Sequence, residues 1–472
     1  MNLKLLAVIA LAVILAVISF DLKLYTGGDN VTYILLAKSI ISGGGYHEIW
    51  TPQNTSHTSY PPGYPILLAS LMLLFGDSLF VYKMLSLVFF LGCVILFWVW
   101  IKHRTKDWWY FLPVILFVLS PDVLNSSHLE LSEMCFTFFL LLGLFLFDRW
   151  RKEDSVGWFF LLSFSTIACF YIRTIGLAAV GGLLIHLVYN RKFSYAGLHL
   201  LATIALMGGW FFYTYVNGST YLEQMLSANA YSSDALILSV GGFFSRIWTN
   251  IELYWTYLVP YSFFPLLSKP VTWLGLGLGM SVLWGLKKNW GFAGLIFLCY
   301  FGALLIWPEQ FTNQRFLLPV LPLLFFFCIE GLHFNFLRLA ISAGATVCLL
   351  VVSLGQISTN KADYSPDWKA FFNACEWIKQ YTLEDAVILS RKPNMCYYLA
   401  ERKSIIYPFS TDKVKVRNSV KQADYVLFDM FDWTNTTQRY LLPVIENDTS
   451  LIGGFLAFPV ANSKAFVLAV KK

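Results

Sequence analysis

The sequence of 472 residues is 57% hydrophobic and 18% aromatic, only 13% of its residues are charged, and its net charge is +6. With a mean hydropathy of +0.61, this composition excludes an ordinary soluble domain and predicts a polytopic membrane protein. The positive charges form no continuous basic stripe, so nucleic acid is not an expected partner.

The predicted elements begin with an apolar segment from Leu5 to Phe20 that resembles the core of a secretory signal peptide. The segment lacks a small-x-small cleavage site before Asp21, so we interpret it as a retained first membrane helix. At about 20 residues per crossing, the apolar runs predict a mainly α bundle of about eleven spans. These runs lie near residues 3–20, 79–101, 108–120, 132–148, 157–172, 174–189, 196–216, 271–286, 292–307, 317–332 and 338–357.

Basic residues cluster at the ends of these runs, whereas the segments between the clusters carry most of the acidic residues. Basic loops are typically cytoplasmic, so the acidic face is expected outside. The pattern predicts a multi-pass protein of the plasma (inner) membrane with a cytoplasmic N-terminus and an outer C-terminus. The basic clusters lie at 102–106, 149–152, 191–192, 287–288 and 333–338.

Two apolar segments fall in the predicted outer loops. Residues 31–41 have helical spacing, and residues 243–267 combine tryptophan and tyrosine with scattered charge. Helices of this kind tend to lie along a membrane interface. We expect both to rest on the outer leaflet around the mouth of a cavity.

The sequence changes character after Ser358, which divides it into a membrane domain (1–357) and an extracytoplasmic α/β domain (358–472). Ser365 followed by Pro366 is typical of a helix start. Further helices are predicted near 394–401, 411–421 and 435–446, and short strands at 386–390, 404–407, 425–429, 455–459 and 465–470. In this domain Cys375 and Cys396 could pair as a disulfide if the domain is extracytoplasmic.

Asp29 is the leading catalytic candidate. It follows Gly27 and Gly28 just beyond the first span, and glycine lets the backbone approach a ligand closely. A carboxylate near a helix start is stabilised as the anion, which suits a general base. The alternative is a solvated carboxylate at the end of a membrane helix.

A second acidic cluster stands at the start of the fourth predicted span and contains His128, Glu130 and Glu133. The two glutamates are three residues apart and could share one helix face. They could also cap and solvate the helix start. Because Glu133 lies deeper in the apolar run, we assign it a supporting catalytic role.

Two arginines are expected near the outer membrane face. Arg173 lies at the apex of a helical hairpin, and Arg315 precedes the tenth predicted span. Arginine at that depth is costly unless it is paired or wet. The two guanidinium groups could clamp a phosphate bidentately. They could equally form ion pairs with Glu130, Glu133 or Glu309.

His47, Glu48 and His57 share the long first loop. Two histidines and a carboxylate could bind a divalent cation, but residues of this kind more often form hydrogen bonds to the loop backbone. No cofactor is otherwise indicated.

These motifs, in this order, resemble the GT-C glycosyltransferases of the protein mannosyltransferase and lipid A aminoarabinose transferase type. The outer α/β domain is also similar to that of bacterial members, and the resemblance spans nearly the whole chain. The motifs are Gly28-Asp29, Tyr60-Pro61-Pro62-Gly63-Tyr64-Pro65, Leu131-Ser132-Glu133, Arg173-Thr174-Ile175-Gly176 and Arg315-Phe316-Leu317-Leu318-Pro319 with Leu321-Pro322.

The resemblance implies inverting transfer of a sugar from a polyprenyl-phosphate donor to a lipid, glycan or protein acceptor outside the cytoplasm. Asp29 matches the first-loop carboxylate that acts as base or orients the acceptor. It is followed by Asn30, where protein mannosyltransferases carry a second acid, so a lipid or glycan acceptor is at least as well supported as a protein hydroxyl. The expected substrate-binding residues are Arg173, Arg315, Tyr60, Tyr64, Glu130 and His128.

A lipid or sugar transporter, or flippase, is the alternative function. It would explain buried arginines and an acidic cavity. It would leave the long first loop and the outer α/β domain without a role.

Overall fold

The structure is a computed structural model that describes residues 3–105, 108–218, 223, 225–235, 237–431, 435–456 and 465–471. It is mainly helical, as the apolar runs predict. Up to residue 361 the described α-helices are α1 (Leu3–Ser19), α2 (Asp29–Ile41), α3 (Gly63–Phe75), α4 (Leu79–Lys102), α5 (Leu112–Leu119), α6 (Pro121–Ser126), α7 (Glu133–Glu153), α8 (Val156–Ile172), α9 (Leu177–Tyr189), α10 (Phe193–Asn217), α11 (Val240–Leu253), α12 (Val259–Phe263), α13 (Thr272–Lys288), α14 (Phe292–Ile306), α15 (Leu321–Gly331) and α16 (Asn335–Lys361).

Within the described ranges, four helical segments are long and apolar enough to cross a membrane: Leu79–Lys102, Phe193–Asn217, Gln314–Gly331 and Asn335–Tyr381. Six shorter apolar helices accompany them: Leu3–Ser19, Gly63–Phe75, Trp109–Leu119, Val156–Ile172, Thr174–Tyr189 and Phe292–Ile306. Of these, α3 is absent from the sequence-based expectations. The number of about eleven crossings stays a prediction.

The segment 31–41 is helical, as expected, but it is buried rather than spread along an interface. One side of α2 places Tyr33 and Ile34 in the core of the membrane helices. The other side places Val31 and Leu35 in a core shared with the C-terminal part of the chain. Helix α2 therefore lies between the two parts and contacts both.

The C-terminal part contains a five-stranded sheet and four further α-helices among the described residues. The strands are β1 (Ile388–Ser390), β2 (Ser404–Ile405), β3 (Tyr425–Asp429), β4 (Ile452–Leu456) and β5 (Ala465–Val470), and the helices are α17 (Pro366–Tyr381), α18 (Pro393–Ala400), α19 (Lys413–Lys421) and α20 (Leu442–Asn447). The sheet order is β2-β1-β3-β5-β4. β1 is parallel to both neighbours, and β5 is antiparallel to both of its neighbours.

This sheet agrees with most of the predicted strands. The strand expected at 455–459 begins earlier, at Ile452, and its last three predicted residues lie outside the described residues. Cys375 and Cys396 are buried and carry free thiols, so the structure does not contain the disulfide that the sequence left open.

Helices α13 and α15 approach each other at backbone distance. A Cβ atom on Gly285 would overlap the carbonyl oxygen of Phe327, and one on Gly331 would overlap that of Ser281. The Ser281 hydroxyl also donates to the Cys328 carbonyl at 2.6 Å. Small residues allow such close packing in membrane helices, and here they fix α15 against α13.

Candidate active site

Asp29 is the first residue of α2 and follows Gly28, whose φ of 109° is in the region that favours glycine. Its Oδ1 accepts a hydrogen bond from the Tyr60 hydroxyl at 3.1 Å. Its Oδ2 accepts one from Arg315 Nη1 at 2.8 Å. The side chain is 34% exposed, so a predicted catalytic acid faces an accessible space beside a predicted arginine.

Glu133 is the first residue of α7, and its side chain is buried. Its Oε1 accepts from Arg173 Nη1 at 2.7 Å and from Arg315 Nε. Arg315 thus binds Asp29 and Glu133 at once. We call Asp29, Glu133, Arg173 and Arg315 the arginine cluster; its formal charges cancel.

Three side-chain hydrogen bonds hold the segment that carries Arg315, one within the segment and two to neighbouring helices. The Asn313 side chain accepts from the Arg315 amide at 3.0 Å. The Gln314 side chain donates to the Ser262 hydroxyl at 2.5 Å, and the Tyr300 hydroxyl donates to the Phe316 carbonyl at 2.9 Å. These contacts fix the backbone and leave the guanidinium to reach the carboxylates.

The pKa of Asp29 is set by opposing effects. Burial raises the pKa, but the charge and hydrogen bond of Arg315, aided by Arg173 and Tyr60, outweigh burial, so the pKa lies below its ordinary value. Asp29 is therefore ionised at neutral pH. It is a weak base for as long as Arg315 stays bound to it.

His128 and Glu130 lie in a second, deeper group of charges. Lys83 Nζ is 3.2 Å from Asp21 Oδ1 and 3.4 Å from Glu130 Oε1, and His128 Nε2 is 3.6 Å from Asp21 Oδ2. We call Asp21, Lys83, His128 and Glu130 the lysine cluster. Neither His128 nor Glu130 is among the hydrogen-bond partners of the arginine cluster.

The lysine cluster joins α2 through Asn30, whose Nδ2 lies 3.4 Å from Glu130 Oε2 and donates to the Tyr25 carbonyl at 2.9 Å. Lys83 and Asp21 were not predicted from the sequence as members of this group. Lys83 is fully buried. In the sequence it interrupts an otherwise apolar run, and that interruption is the signal that could have identified it.

The two predicted substrate-binding tyrosines differ in position. Tyr60 contacts Asp29 directly. Tyr64 is buried in the core, with its ring 5.1 Å from that of Tyr33. Tyr33, which the sequence did not single out, approaches the Ser132 hydroxyl at 3.2 Å, and Arg173 donates to the same hydroxyl at 3.1 Å. Tyr33 therefore links the aromatic core to the arginine cluster.

The first loop uses its histidines for local hydrogen bonds. His57 Nδ1 is 2.9 Å from Glu48 Oε1, while its Nε2 accepts from the Tyr60 amide at 3.1 Å. His47 Nδ1 lies 2.6 Å from the Gly44 carbonyl. Among the described residues there is no group of three or more His, Cys, Asp or Glu side chains that could hold a metal ion. The carboxylates of Asp29 and Glu133 face guanidinium groups, so this donor set does not fit a divalent cation.

No protein-family model matches the sequence, and comparison with the curated proteins finds no significant match. Solved structures do match over nearly the whole chain. The structure of ArnT from Cupriavidus metallidurans in the apo state superposes with a TM-score of 0.61 at 11% identity, covering 98% of this chain and 97% of that one. The same protein bound to undecaprenyl phosphate gives a TM-score of 0.58 at 13% identity, covering 98% of this chain and 97% of that one.

The Archaeoglobus fulgidus oligosaccharyltransferase tethered to an acceptor peptide gives a TM-score of 0.58 at 11% identity, covering 99% of this chain and 74% of that one. The chain has the GT-C fold. The predicted fold class is thus confirmed, and the GT-C fold together with the apolar helices supports a location in a membrane.

Proposed function

We propose that this protein is an inverting glycosyltransferase that moves a sugar from a polyprenyl-phosphate donor to a lipid, glycan or protein acceptor on the outer face of the plasma (inner) membrane. The observation that carries the proposal is Arg315, which binds Asp29 and Glu133 at the same time. Asp29, the proposed base, is therefore in direct contact with Arg315, the residue proposed to bind the donor phosphate.

Inverting transfer needs two things from a protein. A base must take the proton of the acceptor hydroxyl as its oxygen bonds to the anomeric carbon, and cations must stabilise the phosphate that departs with the broken C–O bond. Asp29 fits the first role because it is ionised and partly exposed. Arg173 and Arg315 fit the second, because a guanidinium binds phosphate bidentately.

The present contacts suggest how donor binding activates the base. The donor phosphate would compete with Asp29 and Glu133 for Arg315. Transfer of Arg315 to the phosphate removes the main effect that lowers the pKa of Asp29. Asp29 then becomes a stronger base only when a donor is in place, which limits wasteful hydrolysis.

Two structural neighbours support the substrate classes. ArnT has been solved with bound undecaprenyl phosphate, and the oligosaccharyltransferase with a tethered acceptor peptide. The first favours a lipid-phosphate donor here. The acceptor stays open among lipid, glycan and protein, since Asn30 rather than a second acid follows Asp29.

The test uses purified protein in lipid nanodiscs with radiolabelled undecaprenyl-phosphate sugars and an extract of cell-envelope glycolipids. We expect free undecaprenyl phosphate and labelled acceptor to form together with wild-type protein, and neither to form with Asp29→Asn. In proteoliposomes, movement of the intact donor across the bilayer without its cleavage would instead support the transporter alternative.

A further inference from the structure

The parallel part of the C-terminal sheet contains a switch point between β1 and β3. The chain leaves β1 to form β2 on one side and returns to form β3 on the other. In open α/β sheets the carboxyl ends of the strands at such a point form a crevice that usually receives a ligand. Arg391 and Lys392 directly follow β1, and Asp429 ends β3.

In this protein the residues after β1 reach the chain's own first loop. Lys392 Nζ donates to the carbonyl oxygens of Thr26 at 2.9 Å and Gly27 at 3.1 Å. Asn394, in the first turn of α18, donates to the Gly28 carbonyl at 2.9 Å and to the Thr32 hydroxyl at 2.6 Å. The crevice thus holds the turn that leads into Asp29.

The burial of Lys392 at this position removes water from its ammonium group, which is unfavourable for a charged side chain. The side chain is buried, and its ammonium lies 5.1 Å from the centre of the Trp368 ring. Burial and the neighbouring charge of Arg391 lower the pKa of Lys392 to about 8, while Asp29 and Asp429 favour its charged form. A hydrophobic residue would fill the site at less electrostatic cost, so packing alone does not explain why a lysine occupies it.

We propose that Lys392 and Asn394 are positioning residues for Asp29. By binding three successive carbonyl oxygens, from Thr26 to Gly28, they fix the left-handed turn at Gly28 and aim the Asp29 carboxylate at the cleft. The inference rests on the proposed function, and it gives the C-terminal part an indirect role in the chemistry, through the position of Asp29. Lys392 itself touches no reacting atom.

The experiment compares Lys392→Met, Lys392→Arg and Asn394→Ala with Lys403→Met as a matched control. Lys403 also donates from the C-terminal part to the first loop, at 2.6 Å to the Ile49 carbonyl and 2.9 Å to Asn54 Oδ1. Neither Ile49 nor Asn54 is among the hydrogen-bond partners of the Asp29 side chain in the described part of the chain, which are Tyr60 and Arg315. Two quantities are measured in nanodiscs: amide hydrogen exchange of residues 25–32, and the separate kcat and KM for the undecaprenyl-phosphate donor.

For Lys392→Met we expect exchange across 25–32 to rise at least about tenfold and kcat to fall about 10²-fold, since small misplacements of a reacting group cost that much. KM for the donor should stay unchanged. Asn394→Ala should act in the same direction but less strongly, and Lys392→Arg should recover part of both quantities. Lys403→Met should leave both near wild-type values.

Unchanged exchange in Lys392→Met, or raised exchange with normal kcat, would overturn the inference. If the wild-type protein does not turn over the donor, the proposed function fails. The exchange measurement still decides whether Lys392 fixes the loop, because it needs no activity.

Discussion

The arginine cluster and the lysine cluster lie side by side and contain the same kinds of charge, yet their exposure to solvent differs. In the arginine cluster, the side chains of Asp29, Arg315 and Arg173 are 34%, 24% and 16% exposed. In the lysine cluster, Lys83 is fully buried and bound to two acids. Both clusters contain polar atoms without a hydrogen-bond partner among the described residues, so exposure is what separates them. Charged groups beside an opening favour ligand binding, whereas a sealed cation favours a structural role.

The largest expected effect comes from Asp29→Asn, which keeps the size of the side chain but cannot accept a proton. Loss of a general base typically lowers the rate about 10²–10⁴-fold. Donor affinity should stay equal or rise, because Arg315 loses a competing carboxylate. Transfer kinetics and donor titration on purified protein measure both, with Glu48→Gln as a control from the same loop. Near-normal turnover in Asp29→Asn, together with loss of turnover in Glu133→Gln, would place the base at Glu133 instead.

Lys83→Met tests the structural side of the comparison. Removing the cation leaves the Asp21 and Glu130 carboxylates without their shared partner, and breaking a buried pair costs about 3–5 kcal/mol. We expect a lower midpoint of thermal unfolding, with near-normal kcat for the protein that remains folded. Adding Glu130→Gln should restore part of the stability. A Lys83→Met protein of unchanged stability that has lost donor binding would move the phosphate site to the lysine cluster.

The substitutions Arg173→Lys and Arg315→Lys test whether the arginine cluster binds phosphate, while its net charge stays the same. Lysine cannot form the bidentate contact, and one lost hydrogen bond to a charged group is worth about 1.5–3 kcal/mol. Donor binding should therefore weaken by about tenfold or more in each variant. Arg151→Lys, on an exposed position of α7, is the control. Equal donor affinity in all three would leave the arginines as ion-pair partners only.

The last test is a pH dependence of stability at Lys392, a third cation that belongs to neither cluster. Its pKa is lowered to about 8 from 10.5, so between these values the unfolded chain binds more protons than the folded chain. Wild-type stability should therefore rise with pH across this interval, by at most about 1.4 kcal/mol per pH unit. Lys392→Met should lack that rise. Thermal unfolding of both proteins in detergent, at roughly half-unit steps from about pH 7.5 to about pH 10, measures the difference in their pH dependence. Parallel curves for wild type and Lys392→Met would contradict the lowered pKa of Lys392.

The sequence singled out the members of the arginine cluster one by one, because each is a charged residue beside an apolar run and such residues stand out locally. Asp29, Glu133, Arg173 and Arg315 were all named. That Arg315 joins Asp29 to Glu133 could not be predicted, because the contact closes a loop of 286 residues.

The same limit explains what was missed. Helix α2 was expected at the membrane interface because the partner of its second apolar face is not visible in the local sequence. That face packs against residues more than 300 positions later, such as Phe371. Lys392 was not singled out from the sequence, because its contacts with the Thr26 and Gly27 carbonyls depend on how the sheet is folded. His128 and Glu130 were grouped with Glu133 by sequence distance, but Lys83 and Asp21 draw them into another cluster.

The glycine contacts between α13 and α15 constrain how the site can respond to substrates. Arg315 belongs to the helical segment Gln314–Gly331, and the contacts at Gly285 and Gly331 hold this segment at backbone distance from its neighbour. Adjustment to a donor therefore depends on the Arg315 side chain and on the loop before Asp29. Under the proposed function, such a site acts as a fixed template: the anomeric carbon is joined to the donor phosphate through one oxygen, so a donor whose sugar does not fit beside Asp29 would bind without reacting.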